Sequence, residues 1–273
     1  MTDPLCPAAV LAIGGRDAID FAHAQFSTDV KSLAAGRWHW RAWLDPHGRV
    51  RTFFALLRVE PARLLAWLPL GDAAAMSEAL SRFRLRSAVQ LEAQAWALHA
   101  TQAPMPAAAP GDIVAIDDGL ALLLPGARVA WLTRSIAGSC DAARLNAWRL
   151  ADIDAGLPLL PAPLAGEFLP QALDLERLDA IRFDKGCYPG QEIAARVHFR
   201  GGNKRALRRV RMDGTPPPSG TRIMAADGRV AGTILYAADR GEGASAALAV
   251  LGTDPAVPEA LAIAGDRPIE ICA

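Results

Sequence analysis

From about Leu207 the chain changes texture, and this limits its fold more than anything else in it. Short β-prone runs, LRRVRM, TRIMA, RVAGTILYA and SAALAVL, alternate with the turn-rich stretches GTPPPSG, ADG and DRGEG. Strands this short, joined by Gly and Pro turns, pair with near neighbours, which predicts a small antiparallel barrel or sandwich. Upstream of Leu207 the chain also carries helical patterns. Its 273 residues exceed one average domain and suit two or three packing units, or one large domain.

The stretch GGRDAIDFAHAQFSTDVKSL (14–33) reads as a turn and then a helix capped by Asp17, burying Ile19, Phe21 and Ala22 with Phe26. WHWRAWLDPHGRVRTFFALLRVE reads as two strands around the turn Asp45–Gly48, where Asp45 serves the turn rather than catalysis. RLLAWLPL is a further strand. GDAAAMSEALSRF is a helix capped by Asp72, with Met76, Leu80 and Phe83 on one face, and SAVQLEA alternates as a strand does. This β–β–α–β run resembles part of a split βαβ, ferredoxin-like module. TQAPMPAAAPGD (101–112) reads as a linker. IVAI, GLALLLP and ARVAWL are strands, and DAARLNAWRLADIDAG is a helix starting from Asp141. LPLLPAPLAGEFLPQ, with four prolines, reads as an ordered irregular loop.

Composition excludes several classes. Basic and acidic residues balance, so the whole molecule is not a generic polyanion binder. No apolar run reaches the ~18 residues a membrane span needs, and the start has no basic region of a secretory signal. The cysteines, Cys6, Cys140, Cys187 and Cys272, form no CxxC, and the five histidines fit no ligand spacing. No metal site or disulfide framework is expected, and a reduced cytoplasm is the natural compartment.

DKGCYPGQEIAAR (184–196) raises the functional question. Cys187 stands two residues after Lys185 and just before what reads as the helix QEIAARVHF. A thiolate needs positive surroundings or a helix start, and both are near in sequence. Gly186 and Gly190 would let the backbone bend sharply. The thiol is either a small buried apolar group or a reactive one; the residues alone leave both open. His198 lies eleven residues on, about three helical turns away, so a local Cys–His dyad is not supported.

Arg182 to Arg211 holds nine basic and two acidic residues, a local charge of +7 against −7 elsewhere. It is either a solvated face or a docking site for an anion such as a polyglutamyl tail, a phosphate or an acidic partner. Direct tRNA contact ranks behind these, because RGGNKRALRR has no interleaved aromatics on which bases could stack. Most of the seven tryptophans are expected in cores, while Trp148 could offer a flat wall to a heteroaromatic ring.

Together these stretches resemble a known family. DKGCYPGQEIAARVHFRGGNKR is similar to the K-G-C-Y-x-G-Q-E signature of the YgfZ family of folate-binding proteins. GEFLPQALDL, QFSTDV, DPHGR and AGLP resemble further stretches of that family in the same order. The family is related to the aminomethyltransferase (T-protein) of glycine cleavage. The resemblance implies an α+β, three-module fold around a central tetrahydrofolate cavity. The modules would be a discontinuous folate-binding module (1–45 plus 112–205), a ferredoxin-like module (46–111) and a C-terminal β-barrel (206–273). It also implies an accessory role in the synthesis or repair of iron–sulfur enzymes, including those modifying tRNA. The partners would then be folate and iron–sulfur enzymes or their assembly proteins, with no membrane.

By the same resemblance, Cys187 is the functional cysteine with Lys185 beside it, framed by Gly186, Tyr188, Gly190, Gln191 and Glu192. Trp148 falls at the folate site, and Asp154 stands where T-proteins carry a pterin-contacting Glu. Arg196 or Arg200 would meet the glutamate tail. A second folate-site tryptophan of some members would align near Ala8 and is absent. T-proteins lack the Cys187 equivalent, and no strong candidate for their catalytic Asp stands out here. Both points weigh against the alternative, a genuine aminomethyltransferase.

Overall fold

The computed structural model describes residues 4–101, 109–124, 128–134, 139–253, 261–263 and 267–272. The chain falls into two compact units. One comprises Met1–Trp43, Thr52–Leu145 and Asp179–Pro189; the other comprises Leu44–Arg51, Asn146–Leu178 and Gly190–Ala273.

The first unit is built on an eight-stranded sheet. Its strands are β1 (Cys6–Gly14), β2 (Arg37–Leu44), β3 (Val50–Glu60), β4 (Arg63–Leu68), β5 (Gln90–Thr101), β6 (Ile113–Ile116), β7 (Gly119–Leu123) and β8 (Val129–Thr133), in the order β2-β3-β4-β1-β5-β8-β7-β6. β1 pairs antiparallel with both β4 and β5. With helices α1 (Ala18–Gln25) and α2 (Ala73–Ser81), the order β3-β4-β1-β5 is the split βαβ arrangement. The sequence reading passed over β1, its inner strand. CPAAVLAIG has no hairpin partner beside it in sequence: its partners lie more than 40 residues away in the chain.

Both helices pack on one sheet face around Phe21, Phe26, Trp43, Phe54, Met76 and Leu80. Phe26 and Phe54 meet edge-on, ring centroids 4.9 Å apart. Asp72 caps α2 as expected, accepting from the N–H groups of Ala74 and Ala75 at 2.8 and 3.0 Å. Two expectations fail here. Asp17 occupies the N-cap position of α1 but makes no cap hydrogen bond; its carboxylate accepts from Ala88 N–H at 2.7 Å instead. Phe83 lies beyond α2 and is 44% exposed, because the helix ends at Ser81.

The proposed linker 101–112 is ordered at its described ends. Residues 102–108 lie outside the described residues. Asp112 forms a β-bridge and an ion pair with Arg37, and Trp38 N–H donates to Gly111 O at 2.9 Å. These contacts pin the β2 end of the sheet to the segment entering β6.

The second unit carries a closed six-stranded barrel of β9 (Arg205–Asp213), β10 (Arg222–Ala225), β11 (Val230–Gly241), β12 (Ala244–Gly252), β13 (Leu261–Ile263) and β14 (Arg267–Ile271). The turn spacing left barrel and sandwich open, and the structure is the barrel. Its interior holds Val210, Ile223, Ile234, Ala247, Ala249 and Leu251. The same unit contains most of α3 (Ala142–Asp154) and all of α4 (Gln191–Arg200). The proline-rich loop is ordered as expected: Leu157, Leu159, Leu160 and Leu164 are buried, and Tyr236 OH donates to Leu157 O at 2.6 Å.

No helix among the described residues is long and apolar enough to cross a membrane.

Candidate functional site

The division between the two units falls inside the cysteine motif, after Pro189. On the first side, the segment entering the motif is tied down by Ser27 of QFSTDV. The Ser27 hydroxyl donates to Ala180 O at 2.6 Å and accepts from Ala42 N–H at 3.0 Å. Ser27 O in turn accepts from Arg182 N–H at 2.9 Å. Ser27 is fully buried, so all of these bonds form away from water, where an unmade bond is costly.

Next comes Lys185. Its ammonium donates to two main-chain carbonyls, Phe26 O at 2.8 Å and His23 O. It also lies 4.9 Å from the centre of the Tyr188 ring, and Tyr188 OH donates to Arg182 O at 2.8 Å. The loop 182–188 is thereby closed on itself. Burial pushes the Lys185 ammonium down to about 8, Arg41 adds to this, and Asp29 and Cys187 oppose it. Cys187 is exposed on the loop, and none of the four cysteines is in a disulfide. The sequence suggested Lys185 as a tuning charge for the thiol. The structure shows that lysine's ammonium bonded to the main chain at His23 and Phe26.

In the second unit the motif continues with Gly190, the N-cap of α4, at φ 73°. A β-carbon there would lie 2.2 Å from Asp45 O and 2.7 Å from Gly48 Cα. Asp45 Oδ1 holds its own turn by accepting from His47 and Arg49 N–H, both at 2.9 Å. Gly190 is thus required by a close approach of two turns. Gly186 is not: its nearest neighbour would be His23 Nε2 at 3.5 Å, an ordinary contact.

Arg196 and Arg200 are exposed on α4, as is Glu192 in its first turn, and Gln191 is half-buried at its first position. Neither arginine forms an ion pair among the described residues. His198 is on the helix surface, with Nδ1 2.8 Å from Glu176 Oε2. Trp148 is 8% exposed on α3, and Asp154, at the end of α3, pairs with Arg240.

The sequence missed a cleft in the first unit. It has a volume of about 670 Å³, within the range of small-molecule sites, and its lining includes His23, Thr28, Asp29, Trp38, His39, Arg41, Arg182, Lys185 and Gly186. His23 Nδ1 lies 3.1 Å from Asp29. Burial and the Lys185 charge hold His23 below the ordinary imidazole value, and Asp29 opposes them. Burial likewise lowers His39, and it pushes Arg41 down to about 10. The available signal was the arginine in the middle of the aromatic strand WHWRAWL. Among the described residues no group of three or more His, Cys, Asp or Glu could hold a metal ion.

An uncharacterized protein of Haemophilus influenzae is 30% identical to this chain over 200 residues, spanning 72% of this chain and 69% of the relative. The chain belongs to that protein's family. No protein-family profile matches it. Among solved structures it is similar to glycine cleavage system aminomethyltransferase T from Bartonella henselae, with a TM-score of 0.70 at 15% identity over 97% of this chain and 83% of that one. The fold is therefore that of the T-protein, mixed α and β with a closed barrel, as the sequence resemblance implied.

Proposed function

We propose that the protein is a folate-binding accessory factor for the synthesis or repair of iron–sulfur enzymes, of the YgfZ kind, with Cys187 as its reactive group. One observation carries this reading. KGCYPGQE forms a turn in which Lys185 and Tyr188 are fixed inward while the cysteine between them stays exposed. A structural thiol would be packed like a small apolar side chain; this one is presented to solvent.

The residues of the second unit fit a tetrahydrofolate in part. Trp148, 8% exposed, would offer the pterin the small part of its indole that is uncovered, and Arg196 and Arg200, which form no ion pair among the described residues, would meet the glutamyl carboxylates. Asp154 holds Arg240 through Oδ1, so Oδ2 is the oxygen it would turn to a pterin. When bound, tetrahydrofolate would supply a one-carbon carrier. The chain's own part is to orient it and to present the thiol.

Titration with tetrahydrofolate, read by tryptophan fluorescence, tests the ligand. Quenching that Trp148→Phe diminishes is expected, and a flat response in the wild type removes folate from the proposal. Complementation of a strain lacking the homologue, scored by methylthiolated tRNA, tests the thiol. Rescue by Cys187→Ala equal to wild type would show that the cysteine is not the working group. Steady turnover with an aminomethyl-loaded carrier would make the protein an aminomethyltransferase instead.

A further inference from the structure

We propose that the cleft of the first unit is a receptor for a small oxyanion, a carboxylate or phosphate group, seated on the Arg41 guanidinium. The inference does not rest on the folate reading.

Two of the residues lining this cleft, Arg41 and Thr28, carry a buried side-chain atom, Nε and Oγ1, that takes no hydrogen bond from the described residues. The first can only donate and the second donates readily, so what they lack is an acceptor. Buried donors without acceptors are rare in folded proteins and call for a partner.

Charge narrows the partner to an anion. Arg41 is 5% exposed, and its one hydrogen bond among the described residues is Nη1 to Trp40 O at 2.9 Å. The other cations of the cleft are committed: Arg37 to Asp112, Arg182 to Asp179, and Lys185 to main-chain carbonyls. Asp29 and Asp179 attract Arg41 from beyond ion-pair contact. An unpaired buried charge is among the costliest features a fold can keep, and a planar guanidinium suits a carboxylate or phosphate edge.

Topology explains why Arg41 faces the cleft. Residues 39, 41 and 43 share one side of β2. Trp43 is covered by the helical core, whereas His39 and Arg41 line the cleft. Gly186 of the cysteine motif lines it too, so a bound anion would lie against that loop.

The full chain is titrated with sodium phosphate and, separately, sodium succinate, at constant ionic strength against a chloride control, reading Tm and calorimetric binding. We expect one anion to bind at sub-millimolar concentration and raise Tm; which one does so identifies the group recognised. In Arg41→Met, affinity falls at least tenfold, while the anion-free Tm equals or exceeds wild type, because an uncompensated charge has been removed. Thr28→Val weakens binding about three- to tenfold. Neither anion acting beyond chloride would overturn the proposal. So would undiminished binding by Arg41→Met, or an Arg41→Met that fails to fold, since the arginine would then be structural.

Discussion

Gly190 approaches the main-chain carbonyl of Asp45 so closely that the space for a side chain is already filled. The approach joins the cap of α4 to the hairpin turn Asp45–Gly48, and it fixes where the second half of the cysteine motif begins.

Gly190→Ala should therefore destabilise the protein by about 3 kcal/mol or more. It combines a left-handed backbone with a clash against main chain, which does not yield as a side chain would. Gly228→Ala is the control: φ is 80°, but nothing lies within 4 Å. It should cost only the conformational part, ~1–2 kcal/mol. Urea unfolding of the two variants measures the difference, and equal losses would mean the two turns do not pack as described.

Cys187→Ala should leave stability within about 0.5 kcal/mol of wild type, because the thiol is exposed and bridged to nothing. A normal unfolding midpoint combined with failed complementation would place the defect in chemistry. A large fall in midpoint would show that the thiol packs.

Lys185 gives a pH signature opposite to that of a surface ion pair. Its folded value is about 8 against an ordinary 10.5, so between these pH values the unfolded chain binds more protons than the folded one. Stability should rise with pH across that window, and the charged lysine is a burden below it. The wild-type midpoint, measured relative to Lys185→Met between pH 7 and 10.5, should climb. A flat difference would mean that Lys185 keeps its charge at an ordinary cost.

Asp72→Ala should cost about 1 kcal/mol, since two N–H groups at the start of α2 lose their acceptor. Asp72→Asn should recover most of it. Guanidinium unfolding midpoints would read both, and an unchanged midpoint in the Ala variant would show that water caps the helix equally well.

What was legible in the sequence was what local chemistry determines. The barrel strands were visible because each is bounded by its own Gly or Pro turn, and α2 was visible through Asp72 and its 3.6-residue spacing. β1 was missed because its partners are remote and its alanines blur alternation. The oxyanion cleft was missed because it joins residues 23–41 to 179–186, a meeting that no spacing reveals. Lys185 was singled out as a charge beside Cys187, but nearness in sequence does not set direction, and its ammonium lies on the carbonyls of His23 and Phe26.

That anchoring carries an evolutionary consequence. Lys185 holds its loop through main-chain oxygens, so what it recognises is the path of the chain between His23 and Phe26 and not the identity of those residues. An exposed side chain such as that of Ala24 can drift without loosening the lysine's grip, whereas an insertion or deletion of one residue between positions 23 and 26 would move both carbonyls at once. Relatives should tolerate substitution at the exposed Ala24 far better than any change in the segment's length.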